Sequence, residues 1–199
     1  GLRPLLKPVG DTDTTSALLR DHAVIDGPPG LTTIVGGKYT TYRRMAADAV
    51  DAAVRPLGVT TPSGTLTLPL VGAQQWVSVR DSAPQLAQRF GLSVADAGRL
   101  LQRHGDRVRD LIAMAEANEP LGRPVPGAPQ YLVGELVHAV LAEGAQTLID
   151  VLVRRTHLSI ELADGALSIA PFVADTIAPC LGWSTEERER QIAAYRALM

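Results

Sequence analysis

The sequence predicts an α+β chain: short strands and one helix over the first sixty residues, then a mainly α-helical region. Three observations carry this. Runs of β-branched residues punctuated by glycine and proline fill the N-terminal part. Residues 59–73 are rich in Thr, Pro and Gly and lack helical periodicity. Beyond them, apolar residues recur at helical spacing between capping residues. The expected organisation is an N-terminal part over 1–58, a linker over 59–75 and a helical domain over 76–199.

In the first part, H-A-V-I-D from His22 and L-T-T-I-V from Leu31 are short β-type runs separated by Gly27-Pro28-Pro29-Gly30. Gly36-Gly37 ends the second. From Thr40 the pattern is helical, with Met45, Ala49, Ala52 and Ala53 on a small-residue face suited to close packing on a sheet, and Pro56 and Gly58 as stops. In the second part, residues 82–90, 93–104 and 106–118 each read as a helix opened by a capping residue. The Pro and Gly of 120–129 predict a long non-helical connection, and 131–153 is expected to resume as helix with Gly144 inside it. On that helix Glu143, Thr147, Asp150 and Arg154 form one polar stripe, expected to be partly buried with Asp150 paired to Arg154. Ser184 with Glu187 three residues on is a capping box that starts a last helix.

Composition narrows the function. With 46% hydrophobic and 20% charged residues over 199 positions, the chain can bury a full core. A net charge of -2 supplies no global field for nucleic acid, so any anion site must be built locally. The single Cys180 cannot form an internal disulfide or a Cys-rich zinc site, which fits a cytoplasmic location. No apolar run is long enough to span a membrane. His22, His104, His138 and His157 are widely separated and show no ligand spacing, so no metal site is expected. Trp76 and Trp183 are expected to be packing residues. Arg99, Arg103, Arg107 and Arg109 lie on what superficially resembles a helix-turn-helix, but the chain lacks the basic balance of a nucleic-acid-binding domain.

The most informative stretch is I-V-G-G-K-Y-T-T-Y-R-R, from Ile34 to Arg44: a strand, two glycines, a lysine and a helix start. Glycines admit close approach to the backbone, first-turn N–H groups lack internal partners, and Lys38 adds a full positive charge. Arg43 and Arg44 stand where cations oppose the helix dipole, unless Asp48 answers them four residues on. A nucleotide-phosphate loop is excluded, because Thr32 and Tyr39 occupy positions that such a loop gives to Gly and to Ser or Thr.

G-L-R-P-L at the chain start, G-L-T-T-I-V-G-G-K-Y-T-T-Y-R-R-M-A-A-D-A-V-D from Gly30 and E-G-A-Q-T-L-I-D-V-L-V-R-R-T from Glu143 together closely resemble the FAD-dependent glycerol-3-phosphate dehydrogenases. The first two stretches resemble the end of the family's FAD-binding α/β fold, and the third its helical C-terminal domain. The resemblance implies oxidation of glycerol 3-phosphate to dihydroxyacetone phosphate by hydride transfer to FAD, with electrons passed to quinone. It places Arg3 and Lys38 as substrate-facing cations and the backbone of Gly36, Gly37, Lys38, Tyr39 and Thr40 at the flavin. It also implies work at the inner face of the plasma membrane through peripheral contact. Leu19 stands where the family more often has Ser. A helical interaction or scaffold domain, or a related FAD-dependent oxidoreductase of amines or amino acids, is the alternative.

No G-x-G-x-x-G follows a first strand in these residues, so the main dinucleotide site is expected in an N-terminal FAD-binding region that this sequence does not include. The 199-residue chain purified by itself should therefore carry no FAD. The absorbance spectrum of the preparation checks this, and a bound-flavin spectrum would contradict it.

Overall fold

β1 (His22–Asp26) and β2 (Thr32–Gly36) pair antiparallel, in a register that runs from His22 opposite Gly36 to Asp26 opposite Thr32. The computed structural model describes residues 21–199, so Arg3 and Leu19 lie outside the described residues. The turn between the strands is closed by Gly27 N–H donating to Leu31 O at 3.0 Å and Leu31 N–H to Pro28 O at 2.9 Å. One turn of 3-10 helix, Tyr39–Thr41, then leads into α1 (Tyr42–Val54). α1 lies across both strands, and His22 Nε2 meets the Asp48 carboxylate at 2.9 Å to join β1 to it. Ala52 is the one buried residue among the described residues of this part, because a two-stranded ribbon and one helix cover each other on a single face only.

Residues 59–75 carry turns without helix or strand. The chain divides into two units, Gly1–Pro69 and Leu70–Met199. The second is helical: α2 (Trp76–Val79), α3 (Ala83–Phe90), α4 (Val94–His104), α5 (Val108–Ala117), α6 (Val133–Leu141), α7 (Leu158–Glu161), α8 (Ala170–Leu181) and α9 (Thr185–Leu198). Two of the expected caps form, with Ser93 Oγ accepting from Asp96 N–H at 3.0 Å and Ser184 Oγ from Glu187 N–H at 3.2 Å, whereas the Ser82 hydroxyl donates back to Val79 O at 2.6 Å and Asp106 lies in a 3-10 turn before α5. Two apolar clusters fill the unit. Leu86, Phe90, Leu100, Leu101 and Leu111 form one, with Trp76 against it. Leu136, Leu148, Leu152, Ile177 and Tyr195 form the other, with Trp183 against it. Both tryptophans are packing residues. α6 is buried on almost every side and stands next to both clusters, since Leu132 before it belongs to the first and Leu136 within it to the second. No described helix is long and apolar enough to cross a membrane.

Two expectations are corrected. The stretch 120–129 is not wholly non-helical: Glu119–Gly122 form a 3-10 turn, and Pro120 is tolerated there because a first-turn N–H needs no partner. β3 (Pro124–Val125) and β4 (Ala128–Leu132) then form a small hairpin. Nor is 131–153 one helix. Tyr131 and Leu132 belong to β4, and α6 stops at Leu141, where Gly144 adopts φ +68° and Ala145 N–H closes back on Ala139 O at 2.9 Å. The chain restarts where the Asp150 carboxylate accepts from the N–H groups of Gln146 and Thr147 at 3.1 and 3.0 Å. Asp150–Arg155 then forms a π-helical turn, in which Thr156 N–H reaches Val151 O. Glu143 consequently lies in the break, off any common stripe. The expected pair forms all the same, Arg154 Nη1 donating to Asp150 Oδ1 at 2.7 Å, and Glu143, Thr147 and Asp150 are half-buried.

The α4–α5 corner rests on a glycine that nothing else can replace. Gly105 has φ +57°, a Cβ there would lie 2.0 Å from Gly72 O, and Asp106 N–H donates to that same oxygen at 2.8 Å. Gly105→Ala should therefore destabilise the helical unit by about 2–3 kcal/mol. Urea unfolding checks this, read as a lower midpoint at unchanged slope.

Candidate functional site

The glycine–lysine junction folds as a strand end, two left-handed residues and a tight first turn. Gly36 and Gly37 have φ +78° and +84°, a conformation that L side chains rarely adopt, and the Met45 side chain of α1 packs over Gly37. Lys38 is extended and caps the turn: its N–H donates to Thr41 Oγ1 at 3.3 Å, and that hydroxyl donates back to Lys38 O at 3.0 Å. Gly37 N–H is spent on Asp21 O at 3.0 Å. The N–H groups of Tyr39 and Thr40 therefore remain without a hydrogen bond to the described residues. Tyr39 lines a recess of about 420 Å³ together with Gly36, Gly37, Lys38, Tyr42 and Met45 among others. Lys38 and Tyr39 are exposed there. Of the two first-turn arginines, Arg44 is answered by Asp48 at 3.0 Å, as the i,i+4 spacing suggests, and Arg43 reaches Thr65 Oγ1 at 3.3 Å. The hydrogen bond to His22, followed by Arg44, holds the Asp48 carboxyl below its ordinary range. Among the described residues neither Lys38 nor Arg43 has a carboxylate partner, and of the two only Lys38 lines the recess.

A second constellation, absent from the sequence reading, lies inside the helical unit. Glu135 in the first turn of α6 is fully buried. Arg99 Nη2 donates to its Oε2 at 2.9 Å, Leu132 N–H donates to the same oxygen at 2.8 Å, and His104 Nε2 lies 3.1 Å from Oε1. Burial pushes the Glu135 carboxyl up, but the hydrogen bond with His104 and the charge and hydrogen bonds of Arg99 outweigh it and leave it below its ordinary value. Arg99 also donates to Gln130 O at 2.6 Å and lies 3.9 Å over the Tyr131 ring, whose hydroxyl donates to Thr156 O at 2.6 Å. The four arginines of the stretch that resembles a helix-turn-helix are thus structural. Arg99 and Arg103 are mostly buried against Glu135 and Glu143, Arg107 pairs with Asp110 at 2.6 Å, and Arg109 is bonded to Gln75 and Ser78.

The same fold brings two of the scattered histidines together. The rings of His104 and His138 meet edge to face at 5.1 Å, with Glu143 beside them. Burial, then the neighbouring His104, holds the His138 imidazole below its ordinary value. The readable signs were a lone Glu in the apolar run Y-L-V-G-E-L-V-H and arginines four apart at 99 and 103; their meeting depends on packing between distant segments.

The family described as the C-terminal domain of alpha-glycerophosphate oxidase matches residues 63–188. A glycerol-3-phosphate dehydrogenase of Mycobacterium leprae is 44% identical over 99% of this chain and 34% of its own length. The mitochondrial glycerol-3-phosphate dehydrogenase of Bos taurus is 31% identical over 100% of this chain and 28% of its own. Among solved structures, the glycerol-3-phosphate dehydrogenase of Bacillus halodurans complexed with FAD is similar with a TM-score of 0.72 and 28% identity, covering 88% of this chain and 36% of that one. The chain thus spans about a third of the length of the relatives it matches.

The Glu135 cluster makes stability depend on pH in a definite sense. The folded carboxyl titrates below its ordinary 4.5, so its contribution is fully present above that value and is lost as pH falls through the lower folded value. Arg99→Met should cost about 3 kcal/mol at neutral pH by leaving a buried charge under-compensated. Glu135→Gln should flatten the loss of stability below pH 4.5, measured by urea unfolding across the acid range.

Proposed function

The chain belongs to the family of the C-terminal domain of alpha-glycerophosphate oxidase, and on that premise we propose that it is the C-terminal part of an FAD-dependent glycerol-3-phosphate dehydrogenase. The whole enzyme oxidises sn-glycerol 3-phosphate to dihydroxyacetone phosphate, and the electrons leave to quinone. Residues 1–58 are read as the end of the FAD- and substrate-binding fold, 59–75 as a linker and 76–199 as the helical domain. The observation that supports this best is the Lys38 junction: an exposed cation beside two unspent first-turn N–H groups, over glycines that leave the backbone open. The likeness to the Mycobacterium leprae enzyme extends over 99% of the chain, so the junction lies within the shared stretch. Ile25, Leu31, Ile34 and Val50 of the same unit are exposed, which suits cover by an N-terminal FAD-binding region.

The residues present fit a flavin. Bound FAD would supply the hydride acceptor. Tyr39 and Thr40 would donate their N–H groups to a carbonyl that gains negative charge on reduction, where a helix start adds favourable field. Lys38 would hold the substrate phosphate or the flavin edge as a mobile point charge, and Arg3 would share that task as a planar fork. Peripheral contact with the inner face of the plasma membrane belongs to the same reading.

In the full-length enzyme, Lys38→Ala should lower kcat/KM for glycerol 3-phosphate by roughly ten- to a thousand-fold with flavin content unchanged, the range for losing one charge-assisted contact made in the transition state. Dye-reduction kinetics beside the flavin spectrum measure both. Unchanged kinetics with intact flavin would remove Lys38 from the mechanism.

A further inference from the structure

The helical unit holds a set of ligand-type side chains that the flavin chemistry leaves unused. His104 ends α4, His138 lies in the middle of α6 and Glu143 follows just beyond it. One ligand atom from each lies within 4.8 Å of the others, at a recess of about 170 Å³. We propose that His104, His138 and Glu143 bind a divalent transition-metal ion, Zn²⁺ by ligand type, with the recess leaving a fourth position for water. The proposal stands independently of the dehydrogenase reading.

His138 carries most of the argument. Its side chain is 6% exposed, yet among the described residues neither ring nitrogen has a hydrogen-bond partner. The nearest carboxylate oxygens, Asp110 Oδ2 beside Nε2 and Glu143 Oε1 beside Nδ1, both stand at 3.7 Å, too far for a hydrogen bond. A buried imidazole with both nitrogens unspent offers a lone pair that a metal ion can take up. His104 is prepared differently. Its Nε2 is engaged by the buried Glu135, which orients the ring and leaves the other nitrogen for a ligand, as carboxylates behind metal-bound histidines do. Glu143 gives its Oε2 to Arg103 at 3.2 Å and keeps Oε1 toward His138.

An anion is the competing occupant, because Arg103 and Arg107 also line the recess. Both are already paired, Arg103 with Glu143 and Glu135, and Arg107 with Asp110. The unspent groups are imidazole nitrogens and one carboxylate oxygen, which suit a metal. Closing onto an ion with bonds of roughly 2.0–2.1 Å requires the three atoms to draw in, and Glu143 has the longest and most rotatable of the three side chains. The ion would clip the end of α4 to α6 and to that loop.

The test uses the full-length protein stripped with a chelator, titrated calorimetrically with Zn²⁺ and, as a spectroscopic probe, with Co²⁺. The expected result is one Zn²⁺ per chain, a Co²⁺ ligand-field spectrum of nitrogen–oxygen type displaced by Zn²⁺, and a higher thermal midpoint with Zn²⁺. His138→Ala should weaken binding at least a hundredfold, Glu143→Gln at least tenfold, and exposed His157→Asn should bind as the parent does. Glu143→Gln keeps the test open if His138→Ala fails to fold. No saturable binding by the parent, or parent-like affinity in a folded His138→Ala or Glu143→Gln protein, would overturn the proposal.

Discussion

The helical unit depends on a charge that it buries. Glu135 carries a carboxylate in a place with no access to water, and a lone ion there would be prohibitively costly. Arg99, His104 and the Leu132 amide compensate it, and each comes from a segment the carboxylate must hold in place. Arg99 and His104 lie one turn and more apart on α4, Leu132 ends the small hairpin, and Glu135 starts α6. α6 can therefore occupy only one position against α4. The apolar clusters supply most of the free energy, but they are tolerant of small shifts; the charge network is not.

Several oddities of the chain follow from this. Arg99 lies over the Tyr131 ring while its guanidinium reaches Glu135, and Tyr131 in turn anchors the carbonyl of Thr156 at the end of the π-helical turn. Gly105 ends α4 in a conformation that lets the next turn fold back at once, so α5 packs beside the helix that carries His104. One constraint thus runs from the α4–α5 corner through the hairpin and α6 to the π-helical turn.

The first unit is built on the opposite plan. Among the described residues it has almost no buried interior, and its features are local: a hairpin closed by glycine turns, a helix laid over it, and a His22–Asp48–Arg44 chain that joins strand to helix. Local hydrogen bonds settle the shape of the Lys38 junction, down to which N–H groups are spent.

The sequence alone determined what local rules control. The strands, the junction at Gly36–Gly37, most helix starts and the Asp48 and Asp150 pairings were all legible, because capping, left-handed glycine and i,i+4 spacing act within a few residues. The break in 142–149 was signalled by Gly144 but outweighed in the reading by the helical pattern on either side. Only the tertiary structure decided that Glu135 is buried, that Arg99 and Arg103 serve it, and that His104 and His138, thirty-four residues apart, share one recess. A charged side chain looks the same in a sequence whether water or a partner satisfies it. Which of the two occurs is fixed by the contacts of segments far apart along the chain.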